Sequence, residues 1–74
     1  MDAVVHIGEN LKRIRERRYL TQRALAAKAG VSADTVVKLE LNRVEPRPGT
    51  ILKLAEALDV HPDELSGFGR ESET

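Results

Sequence analysis

The sequence has no cysteine among its 74 residues and no long apolar run. The missing cysteines exclude disulfides, thiolate metal sites and cysteine nucleophiles, and they favour a reducing cytoplasm as the location. No run approaches the roughly 20 apolar residues that a membrane-spanning helix needs. The N-terminal stretch MDAVVHIGEN is too short, and too acidic at its start, for a signal peptide. We therefore expect one small cytoplasmic domain with no membrane partner.

The groups that support catalysis or metal binding are also missing. The two histidines, His6 and His61, lie far apart in the sequence and lack a third ligand. The chain has no zinc motif, no glycine-rich phosphate loop and no Ser-His-acid spacing that stands out. The sequence therefore predicts a protein that is not an enzyme and that binds no metal, cofactor or small-molecule ligand.

The charges sum to zero, with 12 basic and 12 acidic residues, which argues against a generic polyanion binder. The distribution is uneven, however, because five of the seven residues in KRIRERR, residues 12–18, are basic. A local basic field can meet phosphate although the sum is zero. We interpret Lys12 and Arg17 as the solvated face of a helix, and Arg13 or Arg18 as able to approach a phosphate.

The spacing of apolar residues predicts an all-α fold, because no segment alternates with period two. The predicted helices span Ile7 to Arg18, Gln22 to Ala29, Ala33 to Leu41, Pro48 to Leu58, and a short segment that begins at Pro62. Together they predict one domain over residues 1–66. A flexible tail is expected over residues 67–74, since that end is short, polar and acidic.

Local residues explain where the second and third helices begin and end. Thr21 and Ser32 are good N-caps, because their hydroxyls can accept a hydrogen bond from a backbone N–H in the first turn. Gly30 is a natural stop, since glycine enters the left-handed conformation without a Cβ penalty. Asn42 can end the third helix, because asparagine also tolerates that conformation.

Small and aliphatic residues are expected to set how these two helices cross. Ala26 lies at the closest approach, where a larger side chain would push the helices apart. Val31, Val36 and Leu39 are expected to face inward and fix the third helix against the second. This spacing is typical of two helices that meet at the steep angle of a helix-turn-helix.

Four stretches together make the chain similar to a known family. They are IGENLKRIRERRYLTQ, LAAKAGVS, TVVKLE and ILKLAEALDVHPDEL, and they cover Ile7 to Leu65. The chain resembles the Cro/C1-type (XRE-type) helix-turn-helix family of phage repressors and bacterial regulators. The resemblance implies a compact five-helix, lambda-repressor-like domain that binds double-stranded DNA and regulates transcription, more often by repression.

The resemblance also implies contacts between individual residues and DNA phosphate. Such contacts fix the register of a protein on DNA without distinguishing one base from another. The residues at the matching positions are Thr21, Gln22, Ser32, Thr35 and Arg43.

Two further positions match the family and two depart from it. Arg15 and Glu40 occupy positions that form a partly buried ion pair between the first and third helices, which we interpret as structural. Tyr19 stands where the family has a small or left-handed-tolerant residue, and we interpret it as a partly exposed packing residue. Asn42 stands where the family usually has glycine.

The outer face of the third helix would decide what the domain contacts. With Val36 facing inward, Asp34, Val37, Lys38 and Leu41 fall within about 100° of one another on the opposite face. Lys38 could donate to guanine and Asp34 could accept from cytosine N4, while apolar side chains could meet thymine methyls. The alternative is a solvated face on which Asp34 and Lys38 simply pair. The predicted base-contacting residues are Ala33, Asp34, Val37 and Lys38.

One such domain makes few DNA contacts, so we expect a homodimer that binds half-sites about 34 Å apart. The family dimerises through its C-terminal part, and the apolar Leu65 and Phe68 suggest a seam over Val60 to Phe68. A second hypothesis is a protein-interaction module, such as an antitoxin-type subunit, with Val37 and Leu41 on the contact surface.

Overall fold

The computed structural model describes residues 7–66, which form five α-helices. The helices are α1 Gly8–Arg17, α2 Gln22–Ala29, α3 Ala33–Glu40, α4 Pro48–Leu58 and α5 Pro62–Ser66. No strand occurs within this range, so the all-α, five-helix prediction is confirmed. The predicted tail at 67–74, together with His6 and Phe68, lies outside the described residues. Within 7–66, no helix has both the length and the apolar character needed to cross a bilayer.

The helix ends follow the predicted capping residues closely. The Thr21 hydroxyl accepts a hydrogen bond from the Ala24 N–H at 3.0 Å, and the Ser32 hydroxyl accepts one from the Thr35 N–H at 3.1 Å. Gly30 ends α2 in the left-handed conformation, with φ of 76°. The predicted α1 is one residue too long at each end, and the predicted α3 is one residue too long at its C-terminus. In each case the extra residue is the cap of the helix.

All five helices contribute to one hydrophobic core. The predicted inward-facing residues Ala26, Val36 and Leu39 are buried, whereas Val31 is only partly buried at the edge of the core. The buried apolar residues are Ile7, Leu11, Ile14, Leu25, Ala26, Val36, Leu39, Leu54, Ala55, Ala57, Leu58 and Leu65.

The end of α3 lies against the start of α1, and Asn42 makes the connection. Asn42 has a left-handed backbone with φ of 57°, as predicted, and its side-chain oxygen accepts a hydrogen bond from the Gly8 N–H at 3.0 Å. A Cβ at Gly8 would lie 2.7 Å from that oxygen and closer still to the Glu40 carbonyl. Asparagine therefore ends α3 and caps the otherwise unpaired first turn of α1, which glycine could not do.

The structure corrects two predictions. Tyr19 is 95% exposed, so its interpretation as a partly exposed packing residue is wrong. Leu65 has no exposed surface, because α5 directs it into the core of the same chain. Leu65 is therefore not available for the predicted dimer seam, which leaves Val60, partly buried against the core, as the described apolar residue of that segment.

Candidate nucleic-acid interface

The turn between α2 and α3 holds the two helices as one unit. The backbone N–H groups of Gly30 and Val31 both donate to the Ala26 carbonyl, at 2.9 and 3.0 Å. Ala26 is only 3% exposed, and Val36 on α3 is completely buried. Because Val36 fixes the rotation of α3, the residues on its far side are held toward solvent.

The predicted outer face of α3 is the face that the structure exposes. Asp34, Lys38 and Leu41 are exposed and Val37 is half-buried. Ala33, also predicted to contact bases, packs its methyl group partly against the core. The geometry thus brings Asp34, Val37 and Lys38 onto one accessible surface, with Ala33 at its edge.

Asp34 and Lys38 form an ion pair on this surface. The Lys38 Nζ lies 3.0 Å from the Asp34 Oδ2, and the two side chains are 50% and 69% exposed, respectively. The pair spans i to i+4 with the acid on the N-terminal side, the favourable orientation on a helix. A pair this exposed contributes little to stability, about 0.5 kcal/mol, so the fold does not require these two residue types.

The predicted phosphate-contacting residues lie at the starts of α2 and α3 and just after the end of α3, and they differ in how free they are. The hydroxyls of Ser32 and Thr35 lie 2.9 Å apart and hydrogen-bond to each other. The hydroxyl of Thr21 caps α2. Arg43 is exposed, and its side chain makes no hydrogen bond or ion pair to any residue in 7–66. Arg43 is therefore the predicted contact whose charge is fully available.

Gln22 takes part in an internal contact with Glu40. Its side-chain nitrogen donates to the Glu40 Oε1 at 2.9 Å, which joins the start of α2 to the end of α3. The amide oxygen of Gln22 remains an additional acceptor. Gln22 thus supports the orientation of α3 directly, beside the phosphate contact that the family resemblance implies.

The predicted pair between Arg15 and Glu40 is present and is the centre of a network. Arg15 holds the carboxylate with two donors, Nε at 2.6 Å and Nη2 at 3.1 Å, and its Nη1 donates to the Leu20 carbonyl at 2.8 Å. The two side chains are 11% and 4% exposed. The hydrogen bonds to Glu40 raise the pKa of the Arg15 guanidinium further above its ordinary value, so Arg15 stays charged at physiological pH.

The helices differ in their charges. α2 carries Arg23 and Lys28 and no acidic residue, whereas α5 carries Asp63 and Glu64 and no basic one. The zero net charge of the chain therefore conceals a helix pair, α2 and α3, that is more basic than the C-terminal end. Within the described part of the chain, no group of three His, Asp or Glu side chains is placed to hold a metal ion.

Two short helices joined by a tight left-handed turn, the second helix buried on one side and exposed on the other, define a helix-turn-helix domain. A family model described as Helix-turn-helix matches residues 11–65. The chain belongs to this family, which confirms the family resemblance found in the sequence.

Relatives and solved structures agree with this assignment. The HTH-type transcriptional repressor RghR of Bacillus subtilis is 48% identical over 54 residues, which cover 72% of this chain and 40% of the repressor. The chain thus spans less than half the length of this relative.

Two solved structures are similar throughout their fold. The restriction-modification controller protein C.AhdI from Aeromonas hydrophila has a TM-score of 0.79 at 36% identity, over 82% of this chain and 92% of that protein. The P22 c2 repressor, solved in complex with a synthetic operator, has a TM-score of 0.74 at 32% identity, over 80% and 89% of the two chains.

Proposed function

We propose that this chain is a sequence-specific, double-stranded-DNA-binding transcriptional regulator, more specifically a repressor, that acts in the cytoplasm. The observation that carries the proposal is the outer face of α3, where Asp34 and Lys38 project into solvent while Val36 and Leu39 hold the opposite face in the core. An α-helix of this kind fits the major groove of B-DNA, which is about 12 Å wide. The repressor relative and the operator complex of a similar structure support the same function.

In the proposed complex, α3 enters the major groove and α2 crosses the phosphate backbone. The N-terminal ends of both helices present backbone N–H groups, which attract phosphate through the helix dipole as well as by hydrogen bonding. The proposed phosphate contacts are Thr21, Gln22, Ser32, Thr35 and Arg43. The proposed base contacts are Ala33, Asp34, Val37 and Lys38.

We also propose that the protein binds as a homodimer. One copy offers one short α3, Ala33–Glu40, and a single helix of this length contacts too few base pairs for tight specific binding. Two copies related by a two-fold axis would contact half-sites about 34 Å apart. The exposed side of α5, rather than Leu65, would provide the C-terminal part of the seam.

The alternative, a protein-interaction module, has one specific observation in its favour. Two large apolar side chains near the end of α3, Leu41 and Val44, are 55% and 43% exposed. In the DNA complex, Leu41 would lie against thymine methyl groups at the edge of the site. In the alternative, both residues would be covered by another protein, and the chain would have no affinity for DNA.

The salt dependence of binding to mixed duplex DNA separates the two functions. A regulator that neutralises several phosphates loses affinity with a slope of about −0.9 per phosphate in a plot of log K against log salt. Arg43→Ala should weaken binding to all duplexes alike and make that slope shallower by about one phosphate. Lys53→Ala, which removes an equal charge from α4 outside the proposed interface, is the matched control. Absence of binding at low salt would refute the DNA-binding function.

A further inference from the structure

The distance between Asp34 and Lys38 matches a distance in the DNA that α3 is proposed to contact. The Lys38 Nζ and the Asp34 Oδ2 are 3.0 Å apart. In a Watson–Crick base pair, the amino nitrogen and the keto oxygen exposed in the major groove are joined by an N–H···O hydrogen bond of about 2.9 Å. A donor and an acceptor in the protein thus face an acceptor and a donor in the base pair at nearly the same spacing.

We infer that Asp34 and Lys38 act as one unit that recognises the amino and keto groups of a single base pair. The inference rests on the proposed DNA-binding function and specifies how its site discriminates. The amino group of the base keeps one free hydrogen and the keto oxygen keeps one free lone pair in the groove. The Asp34 carboxylate accepts a hydrogen bond from this amino group, and the Lys38 ammonium donates one to this keto oxygen. The hydrogen bond that joins the amino group and the keto oxygen within the base pair stays intact.

The neighbouring side chains leave these two groups free for that role. Glu40, the other charged residue of α3, is engaged by Arg15 and Gln22, and the hydroxyls of Ser32 and Thr35 are paired with each other. Asp34 and Lys38 are held to one another on a single helix, so binding requires little rearrangement of either side chain.

The charge of the pair explains why a carboxylate can face a polyanion. A lone carboxylate at this position would be repelled by the phosphates on both sides of the groove. Lys38 neutralises Asp34, so together they bring no net charge into the groove. The pair therefore adds discrimination between base pairs but little of the general attraction to DNA that the other basic residues supply.

The pair distinguishes the two orientations of a base pair. With cytosine on the Asp34 side, the carboxylate meets cytosine N4 and the ammonium meets guanine O6 and N7. The reversed pair sets carboxylate against keto oxygen and ammonium against amino group, so both contacts become repulsive. Adenine and thymine offer one amino and one keto group as well, but thymine gives the ammonium a single acceptor beside a methyl group. The expected order is C·G, then A·T, then both reversed pairs.

The test uses Asp34→Ala, Lys38→Ala and the double variant on duplexes selected from a random pool by the wild-type protein. Wild type should prefer C·G over the reversed pair at one position by on the order of 10- to 100-fold. Both single variants should lose preference at that same position. Asp34→Ala should also bind mixed DNA more tightly, with a salt slope steeper by about 0.9, because Lys38 is free to neutralise a phosphate.

The double variant isolates the pair, because it removes two opposite charges. It should keep the wild-type salt slope and mixed-DNA affinity while losing the preference. Glu56→Ala, which removes one acidic charge from α4, is the control for the change in net charge. It should change neither the salt slope nor the base-pair preference. Circular dichroism should show that the variants stay folded.

Two results would overturn this inference but leave the proposed DNA-binding function standing. In one, Asp34→Ala and Lys38→Ala lose preference at different base pairs, so each residue acts separately. In the other, wild type binds DNA but the double variant retains every preference. A wild-type protein that binds no duplex at low salt would instead overturn the proposed function, and the inference with it.

Discussion

At three positions in residues 7–66 the backbone is left-handed without a glycine: Tyr19, Asn42 and Asp59. Asn42 gains a compensating contact, because its side chain caps α1 at Gly8. Tyr19 gains none that would stabilise the fold, since its side chain is 95% exposed and makes no hydrogen bond within the described range. At the scale of single residues, the backbone at Tyr19 is therefore strained, and no contact of the Tyr19 side chain offsets the strain.

This strain predicts that Tyr19→Gly stabilises the domain. A non-glycine residue in the left-handed region costs about 1–2 kcal/mol, and the greater freedom of glycine in the unfolded chain offsets about 0.4–1 kcal/mol of that. We expect a net gain of about 0.5–1 kcal/mol in the free energy of unfolding, measured by urea denaturation. Tyr19→Ala keeps the Cβ and is the matched control. Equal stability of the two variants would mean that the strain at residue 19 is no larger than the cost of the extra freedom that glycine has in the unfolded chain.

At the scale of elements, the helices are joined by one polar network as well as by the core. Glu40 at the end of α3 receives hydrogen bonds from Arg15 of α1 and Gln22 of α2, and Arg15 also holds the Leu20 carbonyl in the turn between them. No buried side-chain nitrogen or oxygen in the described part of the chain lacks a partner. This network fixes the C-terminal end of α3 against α1 and α2.

Substitution of Arg15 alone should therefore lower the free energy of unfolding more than substitution of both Arg15 and Glu40. Arg15→Met leaves the Glu40 carboxylate, 4% exposed, without its cation, which costs about 3–5 kcal/mol. A domain of this size has about that much stability in total, so the variant should be largely unfolded at 37 °C. The double variant Arg15→Met, Glu40→Leu removes both charges and should melt at a higher temperature than Arg15→Met alone, by circular dichroism. If the double variant melted at a lower temperature than Arg15→Met, the Glu40 carboxylate would be sufficiently solvated without Arg15.

At the scale of the whole molecule, function depends on how the basic and acidic elements are separated. α2 is basic and α5 is acidic, so a chain without net charge can turn a basic side toward DNA. The C-terminal side, which repels phosphate, would then face away from the DNA. In the proposed two-fold dimer, the two copies of α3 would run in opposite directions along the DNA axis and enter the major groove on the same side of the duplex.

The dimer proposal predicts that binding to a two-half-site duplex is much tighter than binding to a single half-site. Insertion of five base pairs between the half-sites places them on opposite sides of the DNA, since one helical turn takes about 10 base pairs. We expect this insertion to abolish the advantage in gel-shift titrations. A ten-base-pair insertion should abolish it as well, because it moves the half-sites about 34 Å farther apart, beyond the reach of the same dimer. Sedimentation of the complex should give two protein chains per duplex. One chain per duplex, with no effect of spacing, would indicate a monomer.

Much of the fold follows from local sequence. Thr21, Ser32 and Gly30 set the ends of α2 and α3 through their own side chains and backbone preferences, and the apolar spacing predicts which faces are buried. Element bounds are off by one residue where a cap residue has near-helical angles, as at Arg18 and Leu41. These are short-range effects, so a single sequence contains them.

The candidate site depends on contacts between residues that are distant in the chain. Five helices, a helix-turn-helix and the set of residues on the outer face of α3 all follow from the order of residues along the chain. The packed structure adds that Gln22 hydrogen-bonds to the Glu40 carboxylate, that Asn42 caps Gly8 and that Leu65 is enclosed in the core. The physical reason is that helix period and capping act over a few residues, whereas these contacts depend on how the helices pack.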